Sequence, residues 1–361
     1  MSPKGPQPPL RRRLRLVARS LAAVGGWLAR PVPARAPAPL DRPADTVILV
    51  TLDGVRPQEL LRTGADGPLM PFLMRELLPR GTFLGSDTDP PAFRTGSPVG
   101  ISMSGYHSIF KGRLTLCIEN TDPPPRGETL VTRVQGAFPG DPVPVKLFAT
   151  WPRLLDGLKA DPARAVSVRG RKVATEEAAA RGLDLGTDPA ADEPAFRLAL
   201  AELRAGAPRL HYLGLNQSDS AAHGANWPVL KEVLARYDGY LRALVAEMEA
   251  LQARGRAVTL IVTTDHGRGD GDEWPEHLWK YKGTDRAWFF AMGHGIAARG
   301  HATDGPPRTH FDIRPTIEYL LGLPPRRRWW LGAVMKELLA HGTDAAQAPD
   351  ARRDRTDRAA E

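Results

Sequence analysis

The sequence predicts an α/β protein built on a mainly parallel central sheet sandwiched by helices. Two observations point to the sheet. Thr46–Leu52 and Val258–Thr264 are unbroken runs of β-branched and apolar residues, as expected of strands covered on both faces. Each run stops at an acid, Asp53 and Asp265, with a glycine close behind. A third observation supplies the covering layer. Between Pro228 and Arg254, the residues Leu230, Val233, Leu234, Tyr237, Leu241, Leu244, Val245 and Met248 recur at helical spacing and form one apolar stripe.

The remaining elements alternate between strand and helix. Thr46–Leu52 leads through Asp53-Gly54 into a helix from about Pro57, and Pro71–Leu78 reads as a short helix closed by Pro79-Arg80-Gly81. A turn-rich loop (85–100) precedes a helix opened by Ser102, and residues 112–140 read as an irregular excursion. Val145–Ala149 and Ala165–Val168 are strand candidates around a helix near Pro152–Ala160, and 175–206 reads as helix–loop–helix. Leu210–Leu215 and Trp288–Met292 are further strands, Pro315–Leu321 is a helix, and Leu331–Ala340 is expected to form another. No internal repeat is visible.

The 361 residues carry a formal net charge of +8, which invites a nucleic-acid partner. Its location argues otherwise. Residues 1–36 hold eight basic residues and no acid, and the remaining 41 basic residues balance the 41 acidic ones, so the body has no basic face by count. Arg11-Arg12-Arg13-Leu14-Arg15, the weakly apolar Leu16–Ala29 and Ala34-Arg35-Ala36 have the layout of an export signal, and the adjacent arginines resemble a twin-arginine signal. A disordered basic arm is the plainer alternative. The expected organisation is an export signal (1–36), a linker (37–45), one domain (46–342) and a disordered tail (343–361), with a periplasmic or extracellular location. No segment reads as a stable membrane span once the signal is removed. The single Cys117 permits no internal disulfide.

The candidate chemistry lies at the ends of strands, where open α/β sheets collect their ligands. Asp265-His266 is a metal-ligand pair or an N-capping acid beside a surface histidine. Asp53-Gly54 is a ligand or a plain turn. Asp219 and His223, four apart after Leu210–Leu215, share one helix face and form a metal platform or a cap with an incidental histidine. His310 stands just ahead of the Pro315–Leu321 helix. Ser102 is either an N-cap or a nucleophile at a helix start, where the dipole favours a phosphate. His107 reads as a helix-surface residue. Asn120, His277 and Trp274 are candidate substrate contacts, and Trp274 and Trp279 read equally well as stacking groups or as core edges. Three carboxylates, three histidines and one hydroxyl fit two zinc ions with open positions, which together clamp an in-line displacement.

Thr51-Leu-Asp53-Gly54, Asp219-x-x-x-His223, Thr263-Thr-Asp265-His266-Gly267 and His310-Phe-Asp-Ile-Arg-Pro315-Thr316 resemble the alkaline phosphatase-like superfamily, nearest its phosphodiesterase/nucleotide pyrophosphatase branch. The resemblance runs from about Thr46 to Leu323. It implies that Asp53, Asp265 and His266 hold one zinc, that Asp219, His223 and His310 hold the other, and that a hydrolase acts on small phosphate esters through a covalent phospho-serine. Ser102 matches the spacing of the family's nucleophile segment. Ser104 stands where that segment has proline and Lys111 where it has threonine, so Thr95 is a rival. The Cys/Ser-x-Pro-x-Arg motif of sulfatases is absent at both. A phosphotransferase or phosphoglyceromutase-like mutase and a non-catalytic exported binding protein are the alternatives.

Overall fold

The computed structural model describes residues 37–340 except 63–66, 116, 125, 186–189 and 325–330. The expected export signal and tail lie outside the described residues. The described residues form ten strands: β1 (Thr46–Leu52), β2 (Gly81–Gly85), β3 (Phe93–Arg94), β4 (Val145–Ala149), β5 (Ala165–Arg169), β6 (Leu210–Leu215), β7 (Val258–Thr263), β8 (Trp288–Gly293), β9 (Gly300–His301) and β10 (Arg308–Thr309). Eight form one sheet in the order β5-β4-β6-β1-β7-β8-β2-β9, and β10 pairs with β3 apart from it. Only β8 runs against its neighbours, pairing antiparallel with both β7 and β2.

The alternation of side chains along β1 divides the core. Ile48, Val50 and Leu52 face one layer, which contains the Glu193–Ala205 and Trp227–Ala253 helices. Val47 and Leu49 face the other, with the Ser102–Lys111, Leu130–Ala137 and Ile313–Leu320 helices. The sheet is therefore covered on both faces, which explains why its central strands read as continuous apolar runs. Among the described residues no helix is long and apolar enough to cross a membrane.

Three expectations need correction. Leu331–Ala340 forms only a three-residue 3-10 turn, Lys336–Leu338, because Met335, Leu338 and Leu339 pack individually into the core rather than as one helical face. The excursion at 112–140 contains the Leu130–Ala137 helix, whose N-cap Thr129 accepts from Thr132 N–H. His107 is buried, not on a helix surface; burial, then the charges of Lys111 and Arg153, lowers its pKa to about 4.

Candidate metal centre and nucleophile

Strands β6, β1 and β7 lie side by side and parallel, with Thr51 level with Gly214 on one flank and Thr263 on the other. Three consecutive chain exits therefore open at one sheet edge. The exit of β1 delivers Asp53, that of β7 delivers Asp265 and His266, and that of β6 leads into the Gln217–His223 helix with Asp219 and His223. The Ser102–Lys111 helix abuts this edge. A side chain at Gly105 would place its Cβ 2.1 Å from the Asp265 carbonyl oxygen, so glycine is what permits the approach.

Asp53 is fully buried. Its Oδ2 accepts from Tyr106 Oη (3.0 Å) and Asn216 Nδ2 (2.9 Å), while Oδ1 has no hydrogen-bond partner. Asp265 repeats the pattern: Oδ1 accepts from Gly54 N–H (3.0 Å), and Oδ2 is unpartnered. Both orphan oxygens face His266 Nε2, at 3.4 and 3.5 Å. His266 Nδ1 lies 2.9 Å from the Gly267 carbonyl, a contact that places the Nδ1 proton and turns Nε2 toward the acids. Ser102 Oγ lies 3.2 Å from the same Nε2. Ile101, not Ser102, is the N-cap residue, so this hydroxyl faces the centre instead of capping its helix.

Asp219, His223 and His277 form a second group alongside. Asp219 Oδ2 is 3.6 Å from His223 Nε2, and Oδ1 is 3.7 Å from His277 Nε2. The two Nε2 atoms are 2.9 Å apart, and His277 Nδ1 pairs with the Gly100 carbonyl at 2.7 Å. The ring of His277 stacks on that of His266, centroids 4.0 Å apart, which joins the groups into one centre. Each of two sets, Asp53–Asp219–His266 and Asp219–His223–His277, places its ligand atoms within 4.8 Å of one another.

The electrostatics fit a cation. Burial, and then the charge of Asp53, raises the pKa of both Asp265 and Asp219. Burial opposes charge on His266 too, but Asp265, Asp53 and Asp219 outweigh it and lift its pKa to about 9. Two buried carboxylates and the part-buried Asp219 thus hold a proton on the nitrogen for which a divalent ion would compete. His277 moves the other way: burial and the nearby His266 and Arg268 keep it neutral, as a ligand must be. Orphan carboxylate oxygens, a neutral imidazole at His277 and excess negative charge suit a divalent cation.

The other expected site residues are placed differently. His310 lies outside both groups; its Nδ1 accepts from Gly96 N–H (3.1 Å), its ring lies beside Phe93, and its Nε2 is unpartnered. Burial lowers its pKa to about 3. Beside Asp219 and His223 the third nitrogen is that of His277, which sequence reading assigned to substrate. Asn120 Oδ1 accepts from Met103 N–H (3.1 Å), tying it to the Ser102–Lys111 helix. Trp274 packs near-perpendicular to Trp227, centroids 5.3 Å apart, whereas Trp279 is exposed. Thr95 Oγ1 donates to the Ser97 carbonyl (2.9 Å) within its own loop.

Sequence reading missed four supporting residues. Tyr106 and Asn216 hold Asp53, and Arg268 reaches Asp219. Asp192 accepts from Asn216 N–H and Gln217 N–H at 2.9 and 2.8 Å and from Tyr237 Oη, which fixes the exit of β6. Only Arg268, two residues beyond His266, had a position in sequence that drew attention to it.

No protein-family model matches the chain, and no curated protein matches it in sequence. Solved structures do match in shape. A 2-O GAG sulfatase, BT1596, superposes with TM-score 0.58 at 13% identity, over 81% of this chain and 73% of that one. The lipoteichoic acid synthase LtaP from Listeria monocytogenes gives 0.55 at 13%, over 86% and 80%. The phosphonate monoester hydrolase SpPMH from Silicibacter pomeroyi gives 0.55 at 13%, over 85% and 78%. The chain therefore has the alkaline phosphatase-like fold that its motifs resemble. Its sheet edge carries Asp/His groups suited to a metal ion.

Proposed function

We propose that the protein is a divalent-metal-dependent hydrolase of phosphate esters, working through a covalent phosphoryl-serine at Ser102. The observation that carries this reading is Ser102 Oγ lying 3.2 Å from His266 Nε2, the nitrogen faced by both orphan carboxylate oxygens. Asp53, Asp265 and His266 would hold one cation, and Asp219, His223 and His277 a second, with zinc suited to this nitrogen–oxygen donor set. Bound cations supply Lewis acidity, lowering the pKa of a nearby hydroxyl and offsetting charge on the ester.

The chain's own residues do the rest. Ser102 Oγ, as the alkoxide, forms the bond to phosphorus while the bond from phosphorus to the ester oxygen breaks. The alcohol leaves with that electron pair and takes up a proton. Water oxygen then bonds to phosphorus, the bond to Ser102 Oγ breaks, and the serine regains its proton. The start of the Ser102–Lys111 helix favours the negative phosphoryl oxygens, and Asn120 steadies that start through Met103 N–H.

Similar folds include hydrolases of phosphonate monoesters, sulfatases and a phosphoethanolamine transferase, so transfer to an acceptor alcohol is the second reading. The test is a panel of nitrophenyl phosphate, bis-nitrophenyl phosphate and nitrophenyl sulfate, with zinc supplied and with or without added acceptor alcohol. Phosphate esters should turn over fastest, giving mainly free phosphate. Turnover of the sulfate alone, or of nothing, removes the assignment; mainly transferred phosphate replaces hydrolase with transferase. The basic leader supports export, which cell fractionation of the full-length chain checks.

A further inference from the structure

Arg268 belongs to neither ligand group yet touches the residue they share. Its side chain is almost fully buried. Nε donates to the Gly54 carbonyl (3.1 Å), Nη1 to the Pro275 carbonyl (2.6 Å) and Nη2 to the Asp219 carbonyl (3.3 Å). Nη2 also makes a close charge-assisted bond to Asp219 Oδ1. One guanidinium thus ties the turn after β1, the Gln217–His223 helix and the loop after β7. Room for it is built in: a Cβ on Gly54 would stand 2.8 Å from Nε, and Gly54 has φ +64°, a conformation glycine adopts without penalty.

Among the described residues, Asp219 is the one member common to both candidate groups. Its Oδ1 faces His266 (3.8 Å) and His277 (3.7 Å), and its Oδ2 faces His223 (3.6 Å). The terminal torsion of an aspartate is broad, so a carboxylate with three neighbours keeps one orientation only if an oxygen is anchored. We propose that Arg268 is a positioning residue for this shared carboxylate, holding Oδ1 beside His277 so that Oδ2 is presented to His223. Asp53, Asp265 and His266, the ligands proposed for the first cation, are oriented by Tyr106, Asn216, Gly54 and Gly267, so the first cation depends on Arg268 far less than the second. The inference rests on the metal-dependent reading above. It also requires the planar fork, because an ammonium supplies charge without fixed geometry.

The test uses wild type, R268M and R268K, stripped with chelator and titrated with Co²⁺ alone. It reads equivalents bound, the two dissociation constants and the visible absorption of each equivalent, with thermal unfolding alongside. Wild type should take two equivalents. R268M should keep the first within about threefold and lose the second by about 10–100-fold, with the second equivalent's spectrum changed. R268K should fall short of wild type by at least about tenfold, and it decides the matter if R268M fails to fold. Wild-type affinity and spectrum in R268M, equal weakening of both equivalents, or full restoration by lysine overturns the proposal while leaving the metal centre standing. A wild type that binds no Co²⁺ overturns both.

Discussion

At the scale of single residues, the centre is organised by what each polar atom lacks. Asp53 and Asp265 each spend one oxygen on a protein donor and leave the other toward His266; buried polar atoms seldom stay unpaired without a functional reason. Ser102 is the hydroxyl facing that nitrogen, and Thr95 donates into its own loop. Ser102→Ala should therefore lower kcat by on the order of 10³-fold or more while bound metal, read by elemental analysis, stays unchanged. Unimpaired turnover by that variant would transfer the nucleophile role to Thr95. Truncating a supporting residue should be milder: Asn216→Ala, which removes one hydrogen bond to Asp53, should weaken metal binding by about 10–100-fold, measurable by competition with a chromophoric chelator.

At the scale of elements, close approach and burial set the tolerances. The Ser102–Lys111 helix lies against the exit of β7 at Gly105, where even a methyl group meets the Asp265 carbonyl. Gly105→Ala should destabilise the fold by about 2 kcal/mol and reduce activity beyond any loss of stability, because the helix that carries Ser102 must shift. Urea melts paired with kcat measurements separate the two effects. Strand β6 carries the fully buried His211, its ring 5.4 Å from that of Phe148. Burial first, then the ammonium of Lys146, lowers its pKa to about 3, with Glu202 opposing. A histidine lowered in the folded state stays neutral there while the unfolded chain gains a proton below its ordinary pKa near 6.5. Stability is therefore complete above that value and is lost as pH falls toward 3, by about 2 kcal/mol at pH 5. His211→Phe should flatten this part of the profile; an unchanged slope between pH 7 and 5 in urea melts would refute the argument.

At the scale of the whole molecule, the sheet concentrates three carboxylates, Asp53, Asp219 and Asp265, at one edge with little solvent to screen them. A divalent cation held by these residues would offset that cost and favour the folded chain. Zinc at about 100 times its dissociation constant should add roughly 2.7 kcal/mol of stability, and chelation should lower Tm accordingly. A Tm indifferent to both zinc and chelator would mean that the centre holds no cation. The charge of the chain does not by itself indicate a nucleic-acid partner, because the excess is carried by residues 1–36 and the remaining basic and acidic residues balance.

The sequence by itself determined the central strands, the long covering helix and the acids at the strand ends. These follow from local rules: apolar runs for doubly covered strands, 3.6-residue spacing for the helix, and chain exits at carboxyl ends. Asp53, Asp219, His223, Asp265 and His266 were legible for that reason. Only the tertiary structure decided which distant side chains stand beside them. His277 reaches Asp219 because its loop is held by the Gly100 carbonyl, 177 residues away, and Arg268 does so because Gly54 leaves it room. His310 was expected beside Asp219, but the Gly96 amide holds its ring against Phe93 instead. Trp274 read equally well as a stacking group or a core edge, and the fold sets its ring near-perpendicular to that of Trp227. Contacts of this kind depend on packing between segments remote in the chain, which spacing along it does not encode.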